Sequence, residues 1–301
     1  QMCIRDSPGP PGIGIKEENS PNDTESAQDT YYATSFASVE NIRSLDEDGV
    51  SPHLEKVDDK TLRLFYSSIE VKGIAVSLCD YELKCEIQGA LERMSDLTII
   101  ETLDGVRRGY YVALNPQTKQ KDIFTAVFSE DGLSYSNETP LGFPVDQNEI
   151  AWGVPDAVLM PDGLVRVYWV YTEDKTSDEK LVSATSKTTK GVEFVMDPGY
   201  RLENGYVDFE VIRAVEGDWK ALMSYTPHYM PEIPQSLFYA TSKDGLNWDL
   251  IEERITPKGY SYFDPTAIQI DDKNFLVVGS AAPNTLGARE HILFAAELVL
   301  P

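Results

Sequence analysis

The chain has 301 residues, 42% hydrophobic and 25% charged, a balance that fits a globular protein and excludes a wholly disordered one. Its 50 acidic and 26 basic side chains leave a net charge of −24 and a pI of ≈ 4.4. Such a surface repels phosphate backbones and anionic lipid, so neither nucleic acid nor a membrane surface is an expected partner.

Gln1–Ser7 reads as translated sequencing-adaptor sequence, which would leave the natural start and any secretory signal outside the chain, and would empty Cys3 of meaning. Residues 8 to about 30 begin Pro8-Gly9-Pro10-Pro11-Gly12 and continue through Lys16-Glu17-Glu18-Asn19-Ser20-Pro21. Segments this poor in large apolar side chains cannot bury enough surface to offset chain entropy. Residues 1–30 are therefore expected to be a disordered tail, of the kind that tethers secreted domains, and the protein is expected outside the cell or in the periplasm. No apolar run is long enough to span a bilayer. Tyr31–Ile42 alternates enough to supply a strand.

From about residue 50 a unit recurs. Apolar strands ending at Ser77, Ser129, Ser186, Ser242 and Glu297 are spaced by 52, 57, 56 and 55 residues. The fullest copy is Leu237–Trp248, a strand, a turn at Asp244-Gly245 and a returning aromatic. Unit one opens at Ser51-Pro52-His53-Leu54, unit two near Ser95-Asp96-Leu97, and unit three at Val154-Pro155-Asp156-Ala157-Val158. Units four and five open at Val207-Asp208-Phe209-Glu210-Val211 and Phe263-Asp264-Pro265-Thr266-Ala267. Each reads as strand, acidic turn, strand, loop, strand, Asp-Gly turn, strand. Five such units predict an all-β, five-bladed β-propeller of four-stranded antiparallel blades over residues 31–301. Only Leu298-Val299-Leu300-Pro301 follow Glu297, so the fifth blade lacks an outer strand, and the N-terminal strand is expected to fill that place and close the ring.

First strands line a propeller's axis, so their equivalent positions converge. His53, Asp156, Glu210 and Thr266 form one predicted ring, and Ser51, Val154, Asp208 and Asp264 a second, two residues away on the same strand face. Asp96 is the contribution of unit two. Crowded carboxylates split into protonated and ionised members, as acid/base cleavage of a glycosidic bond requires. No turn demands Asp156 or Glu210, whereas Asp208 and Asp264 suit either a site or a backbone cap. Asp131, Asp162 and Asp244 read as turn residues. Trp152, His228 and His53 suit sugar contacts or ordinary packing. Cys79 and Cys85 flank one turn and either pair across it or stay as two small buried thiols. No CxxC or HExxH is present. No cofactor is expected; the acids would suit a central Ca²⁺, but no spacing specifies one.

Val154-Pro155-Asp156 with Pro161-Asp162-Gly163, Phe263-Asp264-Pro265 with Asp271-Asp272, and Ser242–Trp248 together resemble the five-bladed propeller glycosidases of the arabinanase/xylosidase and invertase/levanase type. The Ser242–Trp248 turn also resembles the Asp-box of sialidases. The resemblance implies a monomeric glycoside hydrolase acting on a neutral saccharide, with Glu210 as general acid and Asp156 tuning its pKa. Where that family has its base, this chain has Ser51, so Asp264 or Asp208 is the expected base. Asp96, His53, Trp152, His228 and Arg213 are the expected substrate contacts. Ser51 also supports an alternative, a propeller that binds carbohydrate without cutting it. A sialidase-like reading would need an arginine cluster, and Arg213 is the one arginine near an inner strand. A structural propeller with a plugged funnel is the remaining alternative.

Overall fold

The computed structural model describes residues 37–145, 153–172, 178–225, 234–283 and 291–300. They form twenty strands and no helix. β1 (Ser38–Asp48) comes first and β2 (Val50–Lys56), β3 (Leu62–Ser68), β4 (Gly73–Cys79) and β5 (Cys85–Glu92) make blade one. Blade two is β6 (Ser95–Glu101), β7 (Arg107–Leu114), β8 (Lys121–Phe128) and β9 (Tyr135–Pro140). Blade three is β10 (Asp156–Leu159), β11 (Val165–Tyr171), β12 (Lys180–Ser186) and β13 (Phe194–Met196). Blade four is β14 (Tyr206–Val215), β15 (Asp218–Tyr225), β16 (Ser236–Ser242) and β17 (Trp248–Ile251). Blade five is β18 (Tyr260–Gln269), β19 (Asn274–Pro283) and β20 (Ile292–Val299), with β1 as its outermost strand. The expected five-bladed propeller is the observed fold. Inner strands β2, β6, β10, β14 and β18 touch in that cycle, and β18 returns to β2.

The burial pattern explains why each sheet stands on edge. Second strands are apolar on both faces: Leu62–Tyr66 and Val165–Val170 are buried without interruption. A strand covered on both sides loses the period-two alternation of a half-exposed one. Fourth strands β5, β9 and β13 are mostly exposed. The core is accordingly five clusters, one per blade junction. Leu54, Leu64 and Ala75 meet Leu276, Val278 and Leu293 between blades one and five, and Tyr168, Leu181, Phe209 and Met223 fill the junction of blades three and four.

The glycine turns between third and fourth strands bind blade to blade. Tyr110 Oη donates to Gly191 O at 2.7 Å, and Tyr168 Oη to Gly245 O at 2.7 Å, each reaching the turn of the next blade. Asp244 accepts from the N–H groups of Leu246 and Asn247, an Asx-type cap. Gly245 is required: its φ is +69°, and a Cβ there would stand 2.7 Å from the Trp219 ring.

Cys79 and Cys85 are disulfide-bonded across the β4–β5 turn, a separation of six residues. Loops this short gain the least from a cross-link. Cys79→Ser with Cys85→Ser is expected to lower unfolding free energy by about 2 kcal/mol, read from the denaturant midpoint.

Candidate active site

Each inner strand carries the same irregularity. Ser51, Asp96, Val154, Asp208 and Asp264 all have positive φ, from 38° at Val154 to 51° at Asp96. In four blades the ladder register shifts across this residue, between Val50 and His53, Ser95 and Thr98, Val207 and Glu210, and Phe263 and Thr266. Aspartate tolerates the left-handed region better than most residues, whereas the β-branched Val154 is strained there. Pro52, Pro155 and Pro265 follow in three blades, where a bulge has already broken the ladder and proline's missing N–H costs nothing.

The bulge frees backbone N–H groups, and carboxylates of the preceding blade take them. Ser51 N–H donates to Asp264 Oδ2 at 3.0 Å, and Asp264 N–H donates to Asp208. Two residues further in, the scheme repeats as a lower tier. His53 Nε2 accepts from Ile99 N–H at 3.1 Å, Asp156 Oδ2 from Val211 N–H at 2.9 Å, and Thr266 Oγ1 from Leu54 N–H at 3.3 Å. Glu210 accepts from Thr266 Oγ1 at 3.0 Å and from Ala267 N–H. Buried N–H groups need such partners. Both tiers therefore rivet one blade to the next.

The tiers differ in access. A cavity of about 520 Å³ opens at the end of the ring where inner strands start, and all five upper-tier residues line it. Among the described residues, Val50, Ser67, Ser95, Val170, Glu179, Val207, Gln235, Phe263 and His291 also line it. Its size suits a small-molecule ligand. Asp156, Glu210 and His53 line an axial channel of about 30 Å³ below it, room for about one water.

Mouth electrostatics follow from burial and crowding. Burial, then the charges of Asp208 and Asp96, push the Asp264 carboxyl well above the carboxylate range. Burial also raises Asp208, which is hydrogen-bonded to Asp264 and accepts from Ser224 Oγ. Asp264 Oδ2 already accepts from Ser51 N–H and from Ser280 Oγ at 3.2 Å, so a shared proton belongs on Oδ1. Across the mouth, Asp96 Oδ1 accepts from Ser51 Oγ at 2.6 Å and Oδ2 from Ser95 Oγ at 2.8 Å. Burial raises Asp96 too, and these two hydroxyls and the Lys121 charge oppose that rise. Ser51 Oγ also lies 3.3 Å from Asp264 Oδ2, so one serine stands between the two acidic groups. The arrangement can share a proton between Asp208 and Asp264 beside a third carboxylate, Asp96.

The sequence-derived candidates separate accordingly. Asp96, Asp208 and Asp264 come together at the mouth. Asp156 and Glu210 meet each other in the lower tier, where burial holds Asp156 up at about 6 and pushes Glu210 higher than an ordinary glutamate. His53 stays neutral, its pKa lowered by burial to about 4. Arg213 lies toward the far end of β14, its Nε 2.9 Å from Asp218 Oδ2, and lines neither cavity. Trp152 and His228 lie outside the described residues. Among the described residues no group of three or more His, Cys, Asp or Glu is placed to hold a metal ion.

Second-strand residues escaped the sequence reading. Val50 pairs with Ser67, Val207 with Ser224 and Phe263 with Ser280, so one strand-two position faces every bulge. In blade three that position is Val170, whose N–H bonds Gly153 O at 2.7 Å. Ser224 serves Asp208 and Ser280 serves Asp264. Aligning second strands as well as first would have exposed this pairing of serine with aspartate.

No family model matches the chain, and no curated protein sequence does. Solved structures do match in fold. A thermostable family-43 glycoside hydrolase is 14% identical with a TM-score of 0.61, covering 87% of this chain and 89% of its own. An endo-arabinase from Bacteroides thetaiotaomicron VPI-5482 is 13% identical with a TM-score of 0.62, covering 85% and 96%. A family 117 glycoside hydrolase from the marine bacterium Zobellia galactanivorans is 12% identical with a TM-score of 0.57, covering 89% and 87%. Over most of its length, then, this chain has the five-bladed propeller fold of known glycoside hydrolases.

Proposed function

We propose that the protein is a glycoside hydrolase that cleaves a neutral saccharide at the mouth of the propeller. The observation that carries this reading is the split of mouth carboxylates into a proton-sharing pair, Asp208 and Asp264, and a separate carboxylate, Asp96. Acid/base cleavage of a glycosidic bond needs one group of each kind. Asp208, the more exposed member of the pair, delivers the proton to the leaving oxygen. Asp96, whose two hydroxyl donors oppose the upward push of burial, activates the attacking water. Glu210 and Asp156, facing a channel too narrow for a sugar ring, support the mouth from below. Phe263, edge-on to His291 with centroids 5.6 Å apart, gives the cavity an aromatic wall for sugar C–H groups. The fold shared with an endo-arabinase and a family-43 glycoside hydrolase agrees with a saccharide substrate. The disulfide agrees with a site of action in an oxidising compartment, outside the cell or in the periplasm.

Release of reducing sugar from a panel of oligosaccharides and aryl glycosides tests the reading, with binding of the same panel measured by calorimetry. Cleavage supports a hydrolase. Ser51, standing where the arabinanase-like base would be, favours a second reading, and binding without cleavage across the panel would establish it instead.

A further inference from the structure

The mouth is not uniform around its circumference. Blades four and five repeat a polar pair, Asp208 with Ser224 and Asp264 with Ser280. Blade one keeps hydroxyls at both positions, Ser51 and Ser67, and the Ser67 Oγ has no hydrogen-bond partner. In blade three both positions change together, to Val154 and Val170. These two pack with Val207 of blade four as a small apolar cluster of their own, apart from the five inter-blade cores. All three line the 520 Å³ cavity beside the carboxylates. A lone valine in place of an aspartate would leave a serine unserved. In blade two Asp96 faces Val112, so the polar first position remains; the change of both positions in blade three, completed by a third valine, makes a continuous apolar sector where blades one, four and five place polar side chains at both. Val154 holds that place at φ 38°, a conformation β-branched residues rarely adopt.

We propose that this valine sector receives a methyl group, and that the preferred sugar is a 6-deoxyhexose, with CH₃ where a common hexose has CH₂OH. The inference rests on the saccharide reading above and narrows it. A hydroxymethyl set against Val154, Val170 and Val207 would place its hydroxyl on three side chains that offer it no hydrogen bond. A pentose would leave the sector uncovered and forgo the burial of a methyl.

A one-substituent series tests this with the intact chain. The 4-nitrophenyl β-D-fucopyranoside, β-D-galactopyranoside and α-L-arabinopyranoside differ only in CH₃, CH₂OH or H at that carbon. The α-L-fucopyranoside with α-L-galactopyranoside, and the α-L-rhamnopyranoside with α-L-mannopyranoside, extend the comparison to other stereochemistries. In the accepted series the deoxy member is expected to have a kcat/KM about 10- to 100-fold above the hydroxymethyl member. The pentoside should fall several-fold below it. Val170→Thr, which swaps a methyl for a hydroxyl at nearly equal volume, should bring the ratio close to one. Val207→Thr provides the same readout should Val170→Thr fold poorly. Equal or better handling of the hydroxymethyl member overturns the proposal and leaves the hydrolase reading standing. So does cleavage of other glycosides with every deoxy member refused. Failure to bind or cleave any glycoside overturns both.

Discussion

Replacing Asp208 by asparagine is expected to lower turnover of unactivated oligosaccharides by roughly 10³-fold, within the range seen when a general acid is removed. The amide keeps an oxygen for the Ser224 hydroxyl and the Asp264 N–H, so the upper tier stays riveted and folding is preserved. What disappears is the proton relay with Asp264. A leaving group that needs no protonation removes the demand, so the same variant should lose far less on aryl glycosides of acidic phenols. Asp96→Asn, by contrast, should lose activity on both substrates, because water activation does not depend on the leaving group. Under the proposed mechanism the raised proton affinity of the pair is expected to set the alkaline limb of kcat/KM, which should fall once the shared proton is lost. Asp208→Asn should abolish that limb in its residual activity. Glu210→Gln run in parallel decides between tiers. A loss confined to Glu210→Gln, with Asp208→Asn unaffected, would move the acid to the lower tier.

The second large effect is on stability. Burial holds Asp156 up at about 6, against 3.8 when exposed, and pushes Glu210, Asp208 and Asp264 upward as well. The folded protein thus binds these protons more tightly than the unfolded chain. Their stabilisation is complete near pH 4 and is lost as pH rises through about 6 and beyond. For Asp156 alone that interval is worth about 3 kcal/mol, at 1.36 kcal/mol per pH unit. His53 works the other way: its folded pKa of about 4 lies below 6.5, so its contribution falls as pH drops between those values. Turn carboxyls such as Asp131, lowered by the Ser129 hydroxyl and the Leu133 N–H, add their loss only below pH 4. Five raised carboxyls, Asp96 among them, outweigh one histidine. The thermal midpoint is therefore expected to be higher at pH 5 than at pH 8. Asp156→Asn, which still accepts the Val211 N–H, should flatten that slope and raise the midpoint at pH 8. A midpoint that rises from pH 5 to pH 8 would contradict this account.

The residues differ in how much of this could be read beforehand. Ser51, Asp96, Asp208 and Asp264 were identifiable as one ring because a repeat near 55 residues brings equivalent positions to one axis. The fifth unit's missing strand pointed to an N-terminal partner, and β1 stands there, centred later than Tyr31–Ile42. The division between tiers was not legible. Asp156 and Glu210 look functional in sequence because no local turn needs them; their partners, Val211 N–H and Thr266 Oγ1, lie 55 and 56 residues away. Positive φ at the upper tier was equally hidden, since aspartate tolerates it without requiring it and Ser51 and Val154 give no sign of it. Val170 and Ser67 went unnoticed because they belong to second strands, whose apolar runs draw attention to packing.

The closing strand has a consequence for how the molecule is made. Asn41 Nδ2 bonds Glu297 Oε2 at 3.0 Å across 256 residues, and Ser38 pairs with Val299. Blades one to four each consist of consecutive strands and can zip up as they leave the ribosome. Blade five cannot, because its outer strand precedes the rest of the ring in the chain and waits for the strand made after all the others. Until β20 is made, β1 has no partner and the ring stays a horseshoe with two open edges, the state in which a β protein is most exposed to pairing with the wrong neighbour.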